Sequence, residues 1–98
     1  MIAGSYEVVV LLDEACDLMM RGEEVPGLTG LDLVACSVMA AELALGADVE
    51  AVELPGTVAG CVDEAARRAA AWDPVGLPAE ALRLVLMLSD LRRALLRA

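Results

Sequence analysis

From about Ser5 to Arg21 the residues Val8, Leu11, Leu12, Ala15, Leu18 and Met19 recur at helical spacing, while Glu7, Asp13, Glu14, Asp17 and Arg21 fall on the opposite side. That period predicts an amphipathic helix. The run Val8-Val9-Val10 on its own favours a strand, but the helical pattern continues through it to Arg21. Ser5 is the expected N-cap and Gly22 the expected stop. A loop with Glu23, Glu24, Pro26 and further glycines leads to a second helix over about 30–46, where Thr29 and Asp32 form a weak capping box. This helix is apolar nearly all round, with only Asp32 and Glu42 as a thin polar edge. Such a helix is normally the central one, packed on several sides, so that position is expected here.

Residues 48–53 fit either a single helical turn capped by Asp48 or an extended segment, ended by Pro55-Gly56. A third helix is expected over about 57–72, with Val58, Cys61, Val62, Ala65, Ala69 and Trp72 on one face. On its other face, Asp63–Arg67 and Glu64–Arg68 are favourably ordered i,i+4 pairs. Asp73-Pro74-Val75-Gly76 reads as a turn. Pro78 then opens a fourth helix over about 78–97, whose last turns carry Arg92, Arg93 and Arg97. Four helices joined mostly by short loops predict an all-α fold, a compact antiparallel four-helix bundle forming a single domain over 1–98.

The fourth helix has more leucines than one core face needs. Leu84, Leu88, Leu91 and Leu95, spaced 4, 3 and 4, make the expected core stripe. Leu82 and Leu86 lie roughly opposite, beside Arg93, and are the expected interface residues. Composition supports this. Apolar residues make up 59% of the 98, more than a typical soluble domain of about 45–50%, and one small core does not absorb that excess. Tyr6 and Trp72 are the only aromatics, so the core must be Leu, Val, Ala and Met.

Net charge is −9 and uneven. Residues 1–56 hold 11 acids against Arg21 alone, whereas residues 57–98 hold 5 acids and 6 arginines. The acidic half repels phosphate backbones, so nucleic acid is not an expected partner; a basic protein surface or the Arg-rich half of a second copy is. Lys, Asn, Gln, His and Phe are absent and Ile2 is the only isoleucine, a bias that implies a GC-rich bacterial genome. No basic segment precedes an apolar signal-like run, and uncharged stretches such as Leu33–Ala41 are far shorter than the roughly 18 residues a membrane helix needs. A cytoplasmic protein without membrane contact is expected.

Candidate chemistry is sparse. Asp13-Glu14-x-x-Asp17 places carboxylates one turn apart, the arrangement that holds Mg²⁺ against a phosphate, and Glu50-x-x-Glu53 offers a second pair. The cluster resembles the paired-acid motifs of small all-helical nucleotide pyrophosphohydrolases. It departs from their Glu-Glu-x-x-Glu, and this half of the chain has only Arg21 to meet phosphate. Thr57-Val58-Ala59-Gly60 is similar to the start of the third helix of peptidyl carrier domains. Gly30 stands where their modifiable serine would be, so no phosphopantetheine attachment is implied. Cys16, Cys36 and Cys61 lie one on each of the first three helices, in apolar runs without His, and are expected as reduced, metal-free core residues. Without His or Lys, Ser–His, Cys–His and Ser–Lys nucleophiles are excluded. Glu42 is expected at the rim of the second helix. No catalytic residue and no cofactor is assigned.

The leading expectation is a non-enzymatic protein–protein interaction module (adaptor, accessory subunit or regulator) that forms a homodimer. The alternatives are a Mg²⁺-dependent nucleotide hydrolase using Asp13, Glu14 and Asp17, and an acidic inhibitor that mimics nucleic acid.

Overall fold

The computed structural model describes residues 4–25, 29–45 and 51–97. It has four helices: α1 (Ser5–Met20), α2 (Thr29–Leu43), α3 (Val58–Ala70) and α4 (Ala79–Arg97). Among the described residues there is no strand, and no helix is long and apolar enough to cross a membrane. The fold is therefore all-α, as the hydrophobic period implies. Asp48 to Glu50 lie outside the described residues, and Ala51 to Pro55 form neither helix nor strand.

The helix ends follow from local chemistry, with one exception. Gly22 turns the chain at a φ of 109° and its N–H bonds to the Met19 carbonyl, ending α1. Thr57 caps α3 by accepting the Gly60 N–H at 3.0 Å. Pro78 precedes α4 and its carbonyl accepts the first helical N–H groups, from Ala81 and Leu82. The exception is Ser5. Gly4, at a φ of 80°, occupies the N-cap position of α1 with no side-chain bond, so Ser5 is not the cap. Its hydroxyl is instead buried inside the first turn without a hydrogen-bond partner among the described residues. Glu7 leaves the solvated face expected for it: its helical angle puts it toward the end of α3, and it is only 6% exposed.

Each helix touches two others. α1 packs on α2 and α3, and α4 packs on the same two, so α1 faces α4 and α2 faces α3 across the diagonals. Direction follows from contacts at opposite ends. A Cβ on Gly30 would meet Met19, and Ser37 bonds to Asp13, so α2 runs against α1. Glu23, just beyond α1, bonds to Val58 at the start of α3, while Gly4 approaches Trp72 at its end, so α3 also runs against α1. A short turn joins α3 to α4, and Arg92 near the end of α4 pairs with Asp63 near the start of α3 at 2.5 Å. α2 and α3 therefore point the same way from opposite corners. The segment between them must return the length of the bundle, unlike the short turn that joins α3 to α4.

The core is built from aliphatic side chains, with small Ala and Cys between Leu and Val. Val8, Leu11, Leu12 and Ala15 of α1 meet Leu33, Cys36 and Ala40 of α2, Val58, Cys61, Val62, Ala65, Ala66 and Ala69 of α3, and Ala81, Leu84, Leu88 and Leu91 of α4. Leu95 closes the expected α4 stripe as a partly buried residue. Trp72 is buried at one end. The α3 ion pairs form as the spacing predicts, Arg67–Asp63 at 2.6 Å and Arg68–Glu64 at 3.2 Å.

The Glu23 contact has no local counterpart in the sequence. Its Oε2 accepts the Val58 N–H at 2.6 Å from 35 residues away, adding a second cap to α3 and placing negative charge at the positive end of its dipole. Glu23→Ala is expected to destabilise the fold by about 0.5–2 kcal/mol in urea unfolding, the range of a lost helix cap. Glu23→Gln should lose less, because its amide oxygen still accepts the bond. Equal stability of all three proteins would show that the carboxylate caps nothing.

Candidate functional site

α2 carries two apolar stripes. Thr29, Leu33, Cys36 and Ala40 face the bundle and are buried. Leu31, Val34, Val38 and Ala41 lie on the opposite side and are exposed, and exposed Leu45 follows just beyond the helix end. Within the helix the outward stripe is spaced 3, 4 and 3, the repeat of a helix seam that packs against another helix. Its large members are uncovered to a degree that matters: Leu31 is 69% exposed, Val34 45%, Val38 55% and Leu45 78%.

The expectation that α2 is the central helix is therefore corrected. It has two neighbours, as the other three helices do, and its apolar circumference reflects two separate faces. Close approach to α1 and α4 selects smaller residues inside (Thr, Cys and Ala around Leu33), so the bulkier stripe is the outer one. Glu42 is exposed at the edge of that stripe, the rim position expected for it.

On α4, Leu82 is 43% exposed and Leu86 67% exposed, with Arg93 exposed on the same face. Neither leucine belongs to the core. Leu86 also borders an open groove of about 530 Å³ between α3 and α4, floored by Ala66, Ala70 and Ala71 and lined by Val85, Ser89, Arg67 and Arg92. Both arginines are engaged with acids of α3: Arg92 with Asp63, and Arg67 with Asp63 and Glu64. This second surface is smaller and more polar than the α2 stripe.

Asp13, Glu14 and Asp17 line one shallow depression of about 420 Å³ with Val10 and Leu54. Their oxygens are already engaged. Asp13 accepts the Ser37 hydroxyl at 2.9 Å, Asp17 pairs with Arg21, and Glu14 lies 3.9 Å from the same guanidinium. Among the described residues no three Cys, His, Asp or Glu side chains converge as a metal-ligand set. Glu50 is outside the described residues, and exposed Glu53 borders a different depression, with Glu64 and Arg68.

The cysteines are not activated. Burial raises the pKa of Cys16, although a hydrogen bond with Ser37 opposes it. Burial likewise raises Cys61, and it pushes Cys36 up to about 11, with Asp32 and Cys16 adding repulsion. Cys36 and Cys61 are fully buried and Cys16 half-buried. Neutral thiols of this kind are poor nucleophiles and poor metal ligands.

The raised Cys36 pKa sets a pH dependence. Between the ordinary thiol value of 9.0 and about 11 the unfolded chain has released a proton that the folded chain retains. The Cys36 contribution to stability is therefore complete below about pH 9 and is lost as pH rises toward about 11. Urea unfolding at pH 7.5 and pH 10.5 measures the loss, and Cys36→Ala is expected to shrink it. An unchanged loss in the variant would assign the pH dependence to other groups.

No protein-family model, no curated protein and no solved structure matches this chain.

Proposed function

We propose that this protein is a non-enzymatic protein–protein interaction module, an accessory subunit or regulator acting in the cytoplasm, and that it associates with a second copy of itself. The observation that carries this reading is the outward stripe of α2, where Leu31, Val34 and Val38 stand in solvent at coiled-coil spacing, with exposed Leu45 just beyond the helix end. Burying one such side chain stabilises by about 1.5–3 kcal/mol, so four per subunit supply a driving force that a monomer leaves unused. The charge distribution fits a module better than an enzyme, since the acids are paired, bonded to Ser37 or solvated and the thiols are neutral. The Leu82–Leu86–Arg93 face of α4 is a second, smaller candidate contact.

Sedimentation velocity over a wide concentration range tests self-association. A dimer is expected for the wild type, and a chain that stays monomeric at the highest concentration refutes it. Leu82→Arg with Leu86→Glu should leave the fold intact, because exposed positions tolerate such changes at a cost of about 0.5 kcal/mol or less each. Loss of the dimer in that variant would locate the contact on α4, and its retention would locate it elsewhere.

One observation favours the hydrolase alternative: Asp13, Glu14 and Asp17 do share a depression. A metal-binding site there would raise the melting temperature of the wild type in millimolar Mg²⁺ or Mn²⁺ and not that of Asp13→Asn/Asp17→Asn. No differential shift is expected, because Arg21 and Ser37 already compensate these carboxylates. A clear shift would replace the module reading with the hydrolase.

A further inference from the structure

We infer that the outer face of α2 is the docking site for a basic amphipathic helix of a different protein. The inference rests on the interaction-module reading and not on self-association; a contact between copies through the α4 face is compatible with it. The apolar part of the site is Leu31, Val34, Val38 and Ala41, all exposed. Met20, 82% exposed at the end of α1, extends it where α2 begins, since Met19 lies against Gly30. The spacing of 3, 4 and 3 makes a ridge that a second helix matches with apolar positions of the same repeat.

Charge selects the occupant. Carboxylates border this face on both sides. Asp13 of α1 lies along one edge, where its Oδ1 accepts the Ser37 hydroxyl at 2.9 Å. Asp32 and Glu42 lie toward the other edge, both exposed and about 15 Å apart along the helix. None of the three forms a salt bridge among the described residues. α2 contains no cation, and Arg21, the only one in residues 1–56, is paired with Asp17. A second copy docked here would set acid against acid, with net charge −9 on each chain. Anionic lipid headgroups and nucleic acid meet the same repulsion. A helix with Lys or Arg beside its apolar stripe meets a complementary surface at every part of this face.

One helix on a face of this length buries less than the roughly 800 Å² per partner of a standard interface, so the complex is a transient one. The acids then serve chiefly to steer encounter and orient the partner, while the apolar ridge holds it. Added salt should weaken the complex by screening the carboxylates.

Fluorescence anisotropy tests this with a labelled synthetic peptide of about 18 residues, roughly 27 Å of helix, carrying Leu at the stripe spacing and Arg between. The controls are the same peptide with Glu for Arg and a scrambled order of the Leu–Arg peptide. The Leu–Arg peptide is expected to bind, less tightly as salt is added, and the controls are not. Val38→Asp separates ridge from charge, because it breaks the first and adds to the second. It should remain folded by circular dichroism and weaken binding about tenfold or more, since it buries a carboxylate against leucine. Val38→Asn gives the same reading without the added charge. Asp32→Asn/Glu42→Gln should weaken binding less and flatten its salt dependence. Binding that Val38→Asp strengthens and Val38→Asn leaves unchanged would be attraction by charge alone and would overturn the site. Equal binding of the scrambled peptide, no binding of the Leu–Arg peptide in low salt, or binding of phosphatidylglycerol vesicles in its place would overturn it as well. A wild type that sediments as a dimer but binds no peptide would overturn this inference and leave self-association standing. A monomer that binds the peptide would do the reverse, and a monomer that binds nothing would overturn both.

Discussion

The bundle depends on close approach of helices through small side chains, and the contact of α3 with α1 is where that constraint is tightest. α3 presents Cys61, Ala65, Ala66 and Ala69 to the interior, with Val58 and Val62 at its start. α1 answers with Val8, Leu11, Leu12 and Ala15. With Trp72 at one end as the only aromatic ring in the core cluster, the rest of the interior volume must be filled by bringing the backbones together. Widening this contact would uncover Leu84, Leu88 and Leu91 of α4 as well, because the same alanine-rich helix is one of α4's two neighbours.

That constraint also explains which surfaces remain. A helix that approaches two neighbours closely buries a narrow stripe, and anything apolar outside it is surplus. On α3 the outside is charged, and its ion pairs with Arg67 and Arg68 finish the surface. On α2 the outside is apolar and exposed among the described residues. The difference between these two helices, more than any cluster of reactive groups, is what supports the proposed interaction module.

Much of the architecture could be read along the chain. Gly22, the Asp73–Gly76 turn and Pro78 marked helix ends because glycine and proline act on the local backbone. The α4 stripe was legible because Leu84, Leu88 and Leu91 compete with polar residues on that helix. On α2 the same reasoning failed, since two apolar stripes of equal period give no contrast, and hydropathy favours the bulkier outer one. Which stripe turns inward is decided by the spacing to α1 and α4, a tertiary quantity. The Glu23 cap was illegible for a related reason: its partner is 35 residues away, beyond any local motif. Ser5 looked like a cap by residue type, but the left-handed conformation of Gly4 takes over that position.

The diagonal placement of α2 and α3 bears on how the molecule assembles. α1 with α2, and α3 with α4, are hairpins of neighbouring helices that form from contacts close in sequence. The contacts that unite them, such as Glu23 with Val58 and Gly4 with Trp72, span 35 to 68 residues. Each hairpin exposes half of the core until the other arrives, and the entropy of closing that long loop falls on the docking step. The contacts with the largest closure cost are therefore those between the two hairpins, and wherever these contacts are open both stripes of α2 are bare to the same apolar partners.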